Sequence, residues 1–256
     1  SEEIEREKGV IIEEINMYED TPMRHVEDIL EEAMWPDQPL GRDVAGSKEA
    51  VRSVPREQLL AYLRQQYAPN NAVIAIAGAV EHERAVSLLS KAFGSWKPSP
   101  ELLVWQPAQD EQTAPRVRVE TRQTEQTQLC LTVRGLSMFH PDRYALDLLN
   151  VVLGEGMSSR LFIEIREKRC LAYDIHSYVT HLLDTGCLTV GAGVDPKQLE
   201  GALEAALAEM RRLKDELVPP AEIHKAKEFT PVMRDCQYEW DGAFRRAHQV
   251  RCVIGA

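Results

Sequence analysis

Two carboxylates, Glu7 and Glu14, stand seven residues apart in a stretch whose apolar residues recur at helical spacing. Ile4, Ile11, Ile15 and Tyr18 form one stripe, which Val10 and Met17 widen. Seven residues is almost two helical turns, so the two acids share a face. That face falls inside the apolar arc, whereas Glu5 and Glu13 fall toward the outside. A carboxylate set into an apolar face is costly unless a cation or hydrogen-bond donors meet it. The helix is therefore expected to offer two acids to something positive. A metal ion is one reading, and a partly buried salt bridge to an Arg or Lys is the other.

The elements that must position these residues follow from periodicity and punctuation. Residues 3–19 read as a helix ended by Asp20-Thr21-Pro22, and residues 22–35 as a second helix with Pro22 in its first turn. Ser47 suits the cap of a short helix. Residues 55–67 form another, with Leu59, Leu60 and Leu63 inward and Ser53 and Glu57 near capping-box spacing. Residues 72–79 are a small-residue apolar run that reads as a buried strand, followed by a helix over residues 82–93. Prolines at 98, 100, 107 and 115 mark residues 97–115 as an extended linker. Beyond it, alternation predicts strands over residues 116–120 and 128–135, then a helix over 144–153. A helix over 159–168, strands over 173–181 and 187–194, and a long helix over 197–217 complete the pattern. The last helix carries the core stripe Leu199, Leu203, Ala206, Leu207, Met210 and Leu213. This order is α+β, with helices laid on antiparallel-rich sheets.

Longer motifs carry a family resemblance. Glu7-Lys8-Gly9-Val10-Ile11-Ile12-Glu13-Glu14-Ile15 leads to Glu19-Asp20-Thr21-Pro22 and Pro39-Leu40-Gly41-Arg42. Leu153-Gly154-Glu155-Gly156-Met157-Ser158-Ser159-Arg160-Leu161-Phe162 is followed by Glu164-Ile165-Arg166-Glu167-Lys168-Arg169-Cys170-Leu171-Ala172-Tyr173. Together they resemble the M16 zinc peptidases, the family of mitochondrial processing peptidase and insulin-degrading enzyme. The resemblance implies two related α+β domains in tandem. Residues 1–96 would be the second half of an incomplete first domain, and residues 116–256 the second domain. It also implies that Glu14 stands at a zinc-ligand position, with Glu7 supporting it. Arg166 and Tyr173 would face the active site, bind substrate backbone and stabilise a tetrahedral oxyanion. The sequence departs from the family pattern at Glu155 and Cys170, where glycine is usual. Read without the resemblance, Arg166 belongs to a solvated, charged helix end.

The family's His-x-x-Glu-His motif is absent: none of the seven histidines forms it. One Glu cannot hold zinc, which takes three or four protein ligands, so the chain alone is expected neither to bind catalytic zinc nor to hydrolyse peptides. It reads as an internal piece of a zinc metalloendopeptidase acting on peptides or presequences. The alternative is a non-catalytic subunit that partners an active homologue or serves a structural role. Either version would pair with its missing half or with a second copy, as a homo- or heterodimer. Gly154-x-Gly156 lacks the context of a nucleotide loop. A net charge of -11 and a pI near 5.2 argue against nucleic acid. No apolar run reaches the length of a membrane span. Five scattered cysteines read as free thiols of a reducing compartment, the cytoplasm or a mitochondrial matrix. Residues 231–256 lack a clear helical stripe and read as an atypical terminus.

Overall fold

The computed structural model describes residues 2–109 and 112–229. They divide into two compact units, one formed by residues 2–8 and 49–105 and the other by the remainder. Helix α1 (Glu2–Glu19) runs from the first into the second.

The first unit contains most of α3 (Lys48–Ser53), then α4 (Arg56–Gln66) and α5 (His82–Phe93). Ser53 does not cap α4. It ends α3, donating to the Ala50 carbonyl, and Pro55 takes the cap position. The physical reason is Pro55 itself, whose ring bars Val54 from helical conformation and separates the two helices. Residues 72–79 are not a buried strand: Val73 and Ile76 are 50% and 52% exposed and no ladder forms. A strand exists through a neighbour that takes its backbone hydrogen bonds. Among the described residues this unit provides none. Leu63, Tyr67, Leu88 and Phe93 are likewise exposed, and among the described residues of this unit Ala68 alone is buried.

The second unit is built on a three-stranded antiparallel sheet ordered β1 (Thr127–Arg134), β3 (Gly186–Val194), β2 (Ala172–His181). Period-two alternation sorts its faces. Leu131 opposite Val190, and Ile175 opposite Ala192, point into the main core. There α6 (Arg143–Leu153) and α7 (Leu199–Asp215) contribute Leu153, Ala202, Ala205 and Ala206. The opposite face, with Thr189, Cys187 and Tyr178, meets α2 (Pro22–Met34), which brings Met34 and is followed by buried Trp35. Partial burial pushes the Cys130 thiol up to about 11, which lowers its thiolate reactivity. Residues 116–120 form no strand, and Val117 and Val119 are exposed. As with residues 72–79, no neighbouring strand among the described residues takes their hydrogen bonds. Residues 220–229 are helical, and the atypical terminus over 231–256 lies outside the described residues.

Candidate functional site

Arg166 comes to its place through an irregular helix. A short helical turn after Ser159 widens into a π-helix over Phe162–Lys168. π-Helical segments are rare and concentrate at functional sites. Leu161 and Ile165 are fully buried and fix the segment to the core. The helix closes with Leu171 N–H donating to the Ile165 carbonyl at 2.9 Å. Cys170 then turns the chain with φ +51°, in the left-handed region that favours glycine.

Tyr173 lies on a second irregularity. Ala172 pairs with Val194 and Asp174 with Gly193, so Tyr173 has no partner in the ladder and occupies a β-bulge. It is 74% exposed. The two backbone departures bring the side chains together: the Arg166 guanidinium carbon lies over the Tyr173 ring, 5.5 Å from its centroid. It also lies 4.9 Å from the centroid of Phe162, four residues earlier. Phe162 is absent from the residues singled out by sequence. The available signal was an aromatic and an Arg at helical i,i+4 spacing.

The charge around this site is already sorted. Lys168 and Arg169 both bind Glu164, at 3.0 and 2.8 Å. Hydrogen bonds from Lys168 and then Arg169 hold the Glu164 carboxyl below its usual range. Among the described residues Arg166 makes no ion pair or hydrogen bond, and none of its N–H donors is committed to them. The turn before the π-helix is tightly made. A Cβ on Gly154 would meet the Ser177 nitrogen at 2.5 Å, and Gly156 has φ +87°. Glu155, half-buried between them, accepts from Asn150 Nδ2 at 3.0 Å, and burial raises its pKa.

Glu7 and Glu14 do not occupy a buried face. Both are exposed, as are Val10, Met17 and Tyr18. Helix α1 instead buries Ile15 and half-buries Ile4, Ile11 and Ile12. The reason is angular: Glu14 is one residue from Ile15, hence roughly 100° around the helix. The arc holding both acids, with its three large apolar neighbours, has no cover among the described residues. No three His, Cys, Asp or Glu side chains gather there closely enough to hold a metal ion. Zinc needs three or four ligands, and a single carboxylate such as Glu14 could be at most one of them, so the described residues do not fit the ion by themselves. His181 bonds the Leu136 carbonyl and Asp147, and His176 faces Asp174, as strand residues with local partners.

Residues 53–229 match the family described as "Peptidase M16 inactive domain". The chain is 36% identical over 231 residues to an uncharacterized zinc protease of Streptomyces coelicolor, covering 88% of this chain and 50% of that protein. It is 34% identical over 233 residues to the uncharacterized zinc protease YmxG of Bacillus subtilis, covering 88% and 54%. The chain thus spans about half the length of these curated relatives. A protease from Helicobacter pylori superposes with TM-score 0.80 at 22% identity, over 98% of this chain and 62% of that one. A peptidase M16 inactive domain from Pseudomonas fluorescens gives 0.79 at 20%, over 97% and 64%. A chain of Complex III2 from Candida albicans gives 0.74 at 18%, over 96% and 59%. At these identities the superpositions establish the fold, a mixed arrangement of helices and antiparallel sheet.

Proposed function

Because this chain belongs to the peptidase M16 family, we propose that it is part of a zinc-dependent metalloendopeptidase that cleaves peptides or presequences, and that the isolated chain hydrolyses nothing. The observation that carries the proposal is the Arg166–Tyr173 pair. A half-buried Arg166, with no hydrogen-bond partner among the described residues, lies against the exposed Tyr173 ring, both on irregular backbone. Arg166 supplies a fixed positive charge and a fork of N–H groups for the carbonyls of an extended polypeptide. Tyr173 supplies one hydroxyl donor, suited to the oxygen on which negative charge develops at a scissile carbonyl.

The uncovered arc of α1 supports the same reading. Glu14 is the proposed ligand position and Glu7 its support, completed by residues outside this chain. The exposed apolar residues of α4, α5 and residues 72–80 are suited to the missing half of the first domain, or to a homologous subunit. No described helix is long and apolar enough to cross a membrane. Cys130, Cys170 and Cys187 are free, which suits a reducing, cytoplasmic setting.

A second reading is favoured by the description of the matching family as an inactive domain and by the likeness to a Complex III2 chain. In it the protein is a non-catalytic wall of a chamber or a structural subunit. The product of the complete gene separates the two. Bound zinc and hydrolysis of an unstructured peptide, lost in Arg166→Ala, support the peptidase. A metal-free, inactive product that restores activity to a homologous subunit supports the partner.

A further inference from the structure

We infer that Phe162 is a positioning residue, which holds the Arg166 guanidinium ready for a bound polypeptide without using any of its hydrogen-bond donors; this rests on the reading of Arg166 proposed above. The charge run around Arg166 shows why such a device is needed. Lys168 and Arg169 are both fixed by the Glu164 carboxylate. Had Arg166 been fixed the same way, its N–H groups would be spent on that carboxylate. Instead its guanidinium carbon lies 4.9 Å from the Phe162 centroid and 5.5 Å from that of Tyr173. An aromatic face attracts a cation through its quadrupole and accepts it flat, leaving the edge N–H groups outward.

The two rings are unequal. Tyr173 is 74% exposed, on a bulge. Phe162 is half-buried and opens the π-helix between Leu161 and Ile165, both fully buried. Phe162 is thus the fixed wall, and Tyr173 the one free to move as substrate arrives. Because the chain holds Arg166 in advance, less side-chain freedom is lost on binding.

The test has two arms. In this chain, NMR of labelled arginine reads the Arg166 side chain, assigned with Arg166→Lys. Phe162→Met keeps the apolar volume and removes the ring. It should shift the Arg166 side-chain signals by removing the Phe162 share of their ring-current displacement, leaving that of Tyr173, and Phe162→Tyr should restore it. In the product of the complete gene, the affinity for a short unstructured peptide is read by fluorescence anisotropy. Phe162→Met should weaken binding roughly fivefold, Phe162→Tyr should rescue it, and Phe162→Met should cost nothing further on an Arg166→Ala background. An equal loss on both backgrounds would make Phe162 a general packing residue and overturn the inference, as would Arg166 signals unmoved by Phe162→Met. If those signals move but Arg166→Ala leaves affinity unchanged, the failure lies in the substrate-facing reading of Arg166, and the positioning role falls with it.

Discussion

Tyr173 has no partner in the β2–β3 ladder, and its ring lies 5.5 Å from the guanidinium carbon of Arg166. A regular strand would alternate Tyr173 strictly with Ala172 and Asp174, and the bulge frees it from that constraint. In the complete protein, Tyr173→Phe keeps the ring against Arg166 and removes only the hydroxyl. Turnover should fall by about a hundredfold, the scale of one lost oxyanion donor, with the Michaelis constant nearly unchanged. A rise in the Michaelis constant alone would reassign the hydroxyl to substrate positioning.

Cys170 carries a Cβ where φ is +51°. Cys170→Gly relieves that strain, about 1–2 kcal/mol, and loses part of the gain to the greater freedom of glycine in the unfolded chain. Urea unfolding should show a net stabilisation of about 0.5–1 kcal/mol at constant slope. A lower midpoint would mean that the side chain contributes contacts outweighing the strain.

Gly154 needs no positive φ, yet it tolerates no side chain. An added Cβ would meet Ser177 N at 2.5 Å and Ser177 Cβ at 2.7 Å. Backbone lies on both sides, because Ser177 N–H donates to the Gly154 carbonyl. Gly154→Ala should therefore destabilise by about 2–3 kcal/mol, at the upper end for overpacking, and a melting temperature equal to that of the parent would contradict this packing.

Burial raises the pKa of Glu155 above its ordinary value. A raised acid binds its proton more readily in the folded state. Its relative contribution is present below the unfolded value and is lost as pH rises through the folded one. Glu155→Gln keeps an oxygen for Asn150 Nδ2 and carries no charge. It should match the parent in acid and exceed it in stability at neutral pH. Parallel stability-against-pH curves for the two proteins would refute the burial effect.

Glu14 is exposed, so Glu14→Gln should change the stability of this chain by no more than about 0.5 kcal/mol. In the complete protein it should sharply lower zinc content, measured by elemental analysis. Unchanged zinc would remove Glu14 from the ligand set.

What could be read from sequence was whatever depends on period and punctuation. Helix α2 starts at Pro22 as expected, and β1 lies where the sequence places it, although burial along it does not alternate and Val133 is exposed. What could not be read depends on a partner. Residues 72–79 and 116–120 have strand composition, and Glu7 and Glu14 have apolar neighbours, but composition does not say which surface arrives to cover them. The π-helix and the bulge at Tyr173 were hidden for another reason. Each shifts hydrogen bonding by one residue, a change that leaves the apolar pattern almost untouched.

The strand order β1-β3-β2 has a consequence for how the second unit assembles. β2 and β3 form a hairpin, closed by Leu182 N–H donating to the Thr185 carbonyl. Such a unit is local and forms within microseconds. β1, made first in the chain, has no ladder until β3 exists, because its every partner lies on that last strand. During synthesis it must wait through α6, the π-helix and β2 with its edge bare. Closing that longer loop sets the pace at which the sheet forms, and the interval is when this segment is most exposed to mispairing.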